Sequence, residues 1–360
     1  GVQKAAKQLR MLNAQQFGYM LWQAMKNDGK TPSHDVYGNG DQAVVPEYLD
    51  SNHLIPSDDV DWVDEILRAA VVQSYNLSFT KADKKSNQLF SLGYYDQQGL
   101  VKFSDFKRVS GRFNSEYKLF DDNLRIGENI SLSHSWGTSV SNNAALGGTL
   151  YEAYKFQSIT PVKNLEDEYA GNVFSDIPNP MGKLYRNKDN QDKKSRLVGN
   201  LYAELHLFDG LMFKTSFGVD YNNLYRRSFS PKYDELNASE KLSSLSNRNA
   251  WNFNWVFTNT LTYNKTFGDH TINALLGMES LRNRYEYFTA SRDGFPSDDP
   301  NFRFLDAGDV GTQKNSGAAT EYSMVSYFGK LDYNYHDRYL VAFTSVSYTH
   351  LRAHETKANL

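Results

Sequence analysis

"SNQLFSLGYYDQQGLVKFSDFKR", residues 86–108, alternates, turns around 96–99 and starts back. Phe90, Leu92 and Tyr94 take every second position, with Leu89, Ser91 and Gly93 between them. A period of two sends successive side chains to opposite faces of a β-strand. A strand with one apolar face has two possible settings. In a soluble sheet that face lies on a protein core; in a transmembrane barrel it meets lipid and the polar face lines the interior.

The same alternation recurs along the chain. At 74–80, Tyr75, Leu77 and Phe79 oppose Ser74, Asn76, Ser78 and Thr80. At 106–119, Val109, Gly111, Phe113, Tyr117 and Leu119 share a face with Ser115, against Arg108, Ser110, Arg112, Asn114, Glu116 and Lys118. At 124–136, Leu124, Ile126, Ile130, Leu132 and Trp136 oppose Arg125, Gly127, Asn129, Ser131, Ser133 and Ser135. At 251–264, Trp251, Phe253, Trp255, Phe257, Leu261 and Tyr263 oppose Asn252, Asn254, Thr258, Thr260, Thr262 and Asn264. Further strands fit 197–208, 211–222, 271–288, 322–335 and 338–344.

The joins carry more information than the strands. Those at 81–87, 120–123, 208–210, 267–270 and 335–338 are short; those at 96–105, 137–196, 223–250 and 289–321 are longer, and the two kinds alternate. A hairpin needs only a few residues. Outer-membrane barrels have short turns at the periplasmic rim and long loops at the extracellular rim. The expected architecture is therefore all-β: antiparallel strands in sequence order, short joins at one rim, apolar faces on lipid. Phe113, Tyr117, Ile130, Leu132, Trp255 and Phe257 are expected to point outward, and Arg112, Asn114, Ser131 and Thr258 inward. A soluble β-sandwich or propeller would show the same alternation.

Two helical pieces interrupt the pattern. Asn13 can cap 14–27, with Gln16 completing a capping box and Gly29 following as a stop. Residues 61–70 form a second helix, with Asp58, Asp59 and Asp61 near its positive end. In a barrel both lie in an extracellular loop.

Composition narrows the function. Among 360 residues there are 24 Tyr and 22 Phe, which with the recurring alternation reads as β-rich. Net charge is −3, with no basic footprint for nucleic acid. There is no cysteine, hence no disulfide framework and no thiolate metal site. Mean hydropathy is −0.62, and no apolar run reaches the ~18 residues of a membrane helix. The chain opens at Gly1 without a signal peptide, which reads as a mature chain or an internal piece of a longer one.

Long segments, in order, resemble the early barrel of SusC/RagA-type TonB-dependent outer-membrane transporters of Bacteroidota. They are "DWVDEILRAAVVQSYNLSFTKADKKSNQLFSLGYYDQQGLVKFSDFKRVSGRFNSEYKLFDDNLRIGENISLSHS" (61–135), "LVGNLYAELHLFDGLMFKTSFGVDYNNLYRRSFSPKY" (197–233), "TNTLTYNKTFGDHTINALLGMES" (258–280) and "FGKLDYNYHDRYLVAFT" (328–344). "GVQKAAKQLRMLNAQQFGYML" (1–21) resembles the family's passage out of its first strand.

The resemblance implies part of a 22-stranded transmembrane barrel in the Gram-negative outer membrane. It implies a plug domain, a SusD-like surface lipoprotein as lid, and import of oligosaccharides or oligopeptides driven through the TonB complex. On this reading 1–344 is a partial barrel, with the plug, the TonB-contacting segment and the later strands absent. The tail "SVSYTHLRAHETKANL" (345–360) has no alternation and does not resemble the family. It is similar to a peptide produced by translating sequencing-adapter DNA, and is read as non-native.

No catalytic pattern emerges: there is no P-loop and no nucleophile elbow. His350 and His354 have a helical ligand spacing but lie in the tail, without a metalloprotease Glu. Residues 37–41, "YGNGD", read as a turn, and Glu166, Asp167 and Glu168 as a solvated loop run. A carrier without cofactor or metal is expected, not an enzyme. Arg108, Arg112 and Glu116 are candidate lumen-lining residues. Phe295, Asp298, Asp299, Asn301 and Phe302 are candidate substrate-loop residues, since rings stack and polar groups hydrogen-bond. The competing functions are a soluble carbohydrate-binding or hydrolase domain, and a passive porin or adhesin barrel.

Overall fold

The computed structural model describes residues 1–141 and 147–352, the last three (350–352) by backbone alone. Its strands are β1 (Val2–Gln3), β2 (Ala70–Ala82), β3 (Ser86–Gln98), β4 (Asp105–Leu119), β5 (Leu124–Gly137), β6 (Gln191–Phe208), β7 (Leu211–Ser230), β8 (Tyr233–Glu235), β9 (Ala238–Glu240), β10 (Ser244–Phe267), β11 (His270–Asp293), β12 (Lys314–Tyr335) and β13 (Tyr339–Arg352). Eleven of them form one sheet, in the order β1-β2-β3-β4-β5-β6-β7-β10-β11-β12-β13; β8 and β9 pair as a separate hairpin. Every pairing in the large sheet is antiparallel. Among the described residues β1 and β13 are the free edges.

Sequential antiparallel pairing puts alternate joins at opposite rims. One rim carries 83–85, 120–123, 209–210, 268–269 and 336–338; the other carries 99–104, 138–190, 231–243 and 294–313. Tight turns need unusual backbone. Phe120, Asp121 and Asp122 all have positive φ, and Gly210 has φ +87°. A Cβ on Gly210 would also meet the Asn264 carbonyl oxygen at 2.6 Å, so only glycine fits.

Register fixes the faces, because directly paired residues share one. Phe113 pairs Ile130, Ile130 pairs Gly199, Gly199 pairs Val219 and Val219 pairs Trp255. Arg112 pairs Ser131, Ser131 pairs Val198, Val198 pairs Asp220 and Asp220 pairs Asn254. The two expected sets therefore separate onto opposite faces. The apolar face is bare: Leu132 is 54% exposed, Leu276 64% and Phe257 37%. Fully buried apolar side chains lie elsewhere, in the joins of the long-loop rim and the adjoining strand ends. A soluble sheet would bury the face that is exposed here. No helix of the described residues is long and apolar enough to cross a membrane; strands do the crossing.

The outward face also shows where lipid ends. On β11 it reads Ile272, Ala274, Leu276, Met278 and Ser280, then Arg282 and Arg284; on β7 it is largely apolar from Leu211 to Tyr221. About ten residues of a tilted strand cross the hydrocarbon, so 24-residue β10 and β11 must continue beyond it. This corrects the long joins: 223–230, 244–250, 289–293 and 314–321 belong to strands that project past the membrane. Among the described residues one carboxylate lies within the outward band. Glu128 accepts a hydrogen bond from Ser115 Oγ, and Ser115 is itself buried. A partnered carboxyl is the arrangement such a site demands.

The long-loop rim carries α1 (Ala14–Asn27), α2 (Trp62–Ile66), α3 (Thr149–Lys155) and α4 (Pro180–Asn187). Asn13 and Gln16 form the expected capping box, 2.7 and 3.1 Å. The second helix is shorter than the expected 61–70. Asp61 caps it, but Arg68 N–H donates to the Leu100 carbonyl and Ala70 already begins β2, so strand pairing ends the helix early. Asp59 serves the other helix, accepting from the Ala14 N–H at 2.9 Å. The helices enclose two small cores, one around Trp62, Phe156 and Leu184, the other around Trp22, Tyr37 and Ile159. At 37–41 a turn is present, with His34 bridging to Gly38 at φ +83°. Residues 345–352, read as patternless, continue β13 along β12. Backbone hydrogen bonds carry such edge addition and ask little of the side chains.

The face assignment has a direct consequence. In the full-length protein folded into liposomes, Leu276→Arg should lower stability by about 2–4 kcal/mol, the cost of an arginine near the lipid midplane. Thr258→Arg, on the inward face, should change it by less than about 1 kcal/mol, because lumen substitutions stay in water. Urea unfolding midpoints measure both; the opposite ranking would place the apolar face inside.

Candidate substrate cleft and lumen wall

The inward face is a wall of paired charges. Arg196 forks onto Asp220 at 3.0 and 2.7 Å, and Lys214 reaches Glu204 at 2.8 Å. Glu116 accepts from the Tyr202 hydroxyl at 2.8 Å. The Tyr202 ring lies over Gly127, where a Cβ would come within 2.4 Å of it. The missing side chain thus makes room for the ring that holds Glu116. Arg108 sits over the Tyr95 ring, 5.9 Å from its centroid. Arg112 lines a hollow of about 320 Å³ with Asn76, Ser78, Ser91 and Ser110. Unlike the bidentate Arg196, Arg112 makes no ion pair among the described residues, so its donors face the hollow.

At the long-loop rim, joins 138–190, 231–243 and 294–313 meet around an open cleft of about 660 Å³. Tyr169, Tyr185 and Tyr233 face it, together with Arg186, Asp189 and Arg303. Local chemistry sets these positions. Asn179, fully buried, caps α4 by accepting from the Met181 and Gly182 N–H groups at 3.1 Å, with Pro180 next in the first turn. Its Nδ2 donates to the Val162 and Ala170 carbonyls at 3.0 Å each. The helix so fixed presents Tyr185 and Arg186. Arg186 Nη1 donates to Glu235 Oε1 at 2.6 Å, and the guanidinium stacks on Tyr233 at 3.9 Å. Glu235 Oε2 accepts from the Asn179 N–H at 2.7 Å. One buried carboxylate therefore ties the β8–β9 hairpin to α4.

Burial pushes the Glu235 carboxyl above its ordinary value, although the Arg186 hydrogen bond and charge and the Asn179 N–H pull it back. Burial likewise raises the Tyr169 and Tyr233 hydroxyls, so both stay neutral donors. On the third join, Arg303 stacks over Phe229 at 4.5 Å, donates to the Asp298 carbonyl at 3.1 and 2.8 Å and pairs with Asp189 at 3.4 Å.

The named loop residues divide. Phe295 is buried, packed edge-on to Phe229 at 5.5 Å beside Leu245, and leaves no ring face for a guest. Asp299 accepts from the Asn301 N–H at 2.9 Å and holds the short turn Pro300–Phe302. Asp298 lines the cleft, and Phe302 is 55% exposed. Tyr185, Arg186, Tyr233 and Arg303 were not singled out in the sequence. Asn179-Pro180 is the signal that could have found the first two, since a capping residue before proline opens a helix. Glu166 and Asp167 are solvent-exposed as a loop run should be, while Glu168 reaches the cleft edge. Among the described residues no group of three or more His, Cys, Asp or Glu could hold a metal. The side chains of His350 and His354 lie outside the described residues.

No family model matches the sequence. The chain is similar to TonB-dependent receptor P3 of Formosa agariphila, 28% identical over 318 residues, covering 86% of this chain and 31% of the relative. It is also similar to TonB-dependent receptor SusC of Bacteroides thetaiotaomicron, 26% identical over 313 residues, covering 79% of this chain and 29% of the relative. The chain thus spans about a third of the length of these curated relatives. Among solved structures, a RagAB peptide importer in its closed-closed state superposes with a TM-score of 0.76 at 21% identity, over 97% of this chain and 41% of that one. The chain is thus similar over most of its length to part of TonB-dependent receptors, and its fold is that of a stretch of such a barrel; these receptors are outer-membrane proteins of Gram-negative bacteria and not enzymes.

The Glu235 clasp makes the cleft pH-dependent. A carboxyl raised above its unfolded value of 4.5 holds more protons folded than unfolded, so its contribution is greatest below that value and declines as pH rises through the folded value. Arg186→Met removes the offsetting charge and steepens the decline. Hydrogen-exchange protection at 179–187 and 233–240, taken relative to the intrinsic exchange rate at each pH, should then fall from pH 5 to pH 8 in the variant, and fall less in the wild type. Parallel pH profiles would mean that the clasp does not hold the cleft.

Proposed function

We propose that this chain supplies wall and vestibule to an energised importer of oligosaccharides or oligopeptides. A SusD-like lipoprotein would lid the long-loop rim, and the TonB complex would act through a plug encoded outside this stretch. The observation that carries the reading is the cleft itself. Three tyrosines and two buried-stem arginines gather at the mouth of a polar, ion-paired wall. Tyrosine faces stack on sugar rings or peptide side chains, and their hydroxyls hydrogen-bond. Arg108, Arg112 and Glu116 then form successive contacts down one strand, and Asp298, Asn301 and Phe302 edge the entrance. Phe295 supports the entrance from beneath. The similarity to TonB-dependent receptors supports a receptor that depends on TonB, and one structural neighbour is a peptide importer.

A passive porin would show the same wall, so energy dependence separates the two readings. We also propose that 345–360 is foreign to the receptor, since its sequence departs from the family while residues 345–352 pair with β12 through the backbone; the source gene, once recovered, should lack this segment.

In cells carrying the full-length receptor, uptake of labelled oligosaccharides and oligopeptides should stop when the proton-motive force is collapsed. Tyr185→Ala/Tyr233→Ala should cut uptake about ten-fold or more at equal receptor level, since each lost aromatic contact is worth about 0.5–1.5 kcal/mol. Uptake that survives collapse of the gradient would make the barrel a passive pore. Uptake unchanged in the double variant would move the substrate away from this cleft.

A further inference from the structure

The outward face just above the lipid band is not the same all round the sheet. On β11 and β12 its charges cancel: Arg282 pairs with Glu321 at 2.6 Å and Arg284 with Glu286 at 2.7 Å. On β4 to β7 the same level reads Lys107, Trp136, Lys193 and Tyr225 across one row of partners. Arg227 lies one step higher, opposite Gln191. Lys107 is shared with Asp105 at 3.6 Å, and Asp96 faces it across β3. Lys193 and Arg227 have no carboxylate partner among the described residues.

Register brings these two cations together. Lys193 pairs Tyr225 and Arg227 pairs Gln191, so they are diagonal neighbours, about 7–8 Å apart. That spacing lets one phosphate accept from both. Trp136 and Tyr225 flank them, Tyr225 being 37% exposed, and Lys193 is itself exposed. His134, with its Nδ1 2.8 Å from Ser195 Oγ, stacks near Trp136 at 5.6 Å. Leu197, four residues below Lys193, is the last apolar outward residue of β6. The cations therefore stand within about 10 Å of the hydrocarbon edge, allowing for strand tilt. Headgroup phosphates lie at that level, and aromatic rings settle there.

We propose that Lys193 and Arg227, framed by Trp136 and Tyr225, bind the phosphate of an outer-leaflet glycolipid. The long-loop rim faces the outer leaflet, so this site anchors the barrel at a fixed height on the side where β4 to β7 meet lipid. The charge complementarity is local: the neutralised face at β11 and β12 offers no equivalent.

The test uses the full-length receptor extracted in mild detergent, with retained lipid counted by native mass spectrometry. Lys193→Gln/Arg227→Gln should lower retained phosphorylated glycolipid about five-fold or more. Lys265→Gln, outward at the short-turn rim and paired with Asp209, should not change it. Purified lipid A should restore binding to delipidated wild type and not to the double variant. A heat-modifiable band shift checks folding; should the double variant fail it, Lys193→Gln alone must lower retention about two-fold. Equal retention in variant and wild type overturns the proposal. Displacement of lipid A by millimolar inorganic phosphate also overturns it and makes the pair a free-anion site. Equal binding to phosphatidylglycerol nanodiscs overturns the glycolipid assignment.

Discussion

Hydrocarbon offers no hydrogen-bond partner, so every peptide group that crosses it must be paired within the protein. One antiparallel ladder meets that demand between β2 and β13, with a register shift at His206/Phe208; among the described residues the far edge of β13 and most of that of β2 have no partner strand. The rest of the structure follows from it. A ladder with period-two side chains must have two faces, and lipid leaves only one of them free to be polar. Charges collect on the inward face as pairs such as Arg196–Asp220. The outward carboxyl, Glu128, takes a hydroxyl from its paired neighbour Ser115 on β4. Burial moves to the long-loop rim, where water allows helices and small cores.

That rim resembles a small globular protein set on the end of a membrane sheet. Its order depends on short polar bridges rather than on a large core. Asn179 alone caps α4 and satisfies two carbonyls, and Glu235 draws the β8–β9 hairpin to the same point. Arg303 ties the third join, 294–313, to the first, 138–190, through Asp189. A cleft assembled from three joins can change as those joins move, while the ladder below stays fixed.

Strand positions and faces were legible because a two-residue period survives without knowledge of partners. The capping box at Asn13 was legible because it lies within four residues. What was not legible depended on distant contacts. The helix at 61–70 was cut short by pairing to Leu100, and the strands beyond the lipid looked like loop because water on both faces removes the alternation that marks a crossing. Phe295 looked like an exposed loop ring, yet Phe229, 66 positions earlier, buries it. Asn179-Pro180 could signal the helix that carries Arg186, but Arg303 carried no local signal, and only the fold brings Arg186 to Glu235 and Arg303 to Asp189.

This stretch has no cysteine, so once any cysteine elsewhere in the receptor is replaced, single cysteines here test the central claim. Single cysteines placed one at a time from Phe253 to Tyr263 in the full-length receptor, in intact outer membranes, can be offered a water-soluble maleimide and a lipid-soluble one. Within the lipid band the account predicts strict alternation: Phe257, Leu261 and Tyr263 labelled from lipid, Thr258, Thr260 and Thr262 from water; Phe253 and Trp255, level with Arg284 and Arg282, lie above the band and should be reached from water. Labelling from water at both sets within the band, or protection of its odd set from both reagents, would mean that the apolar face lies on protein, and β10 would not be a wall between lipid and lumen.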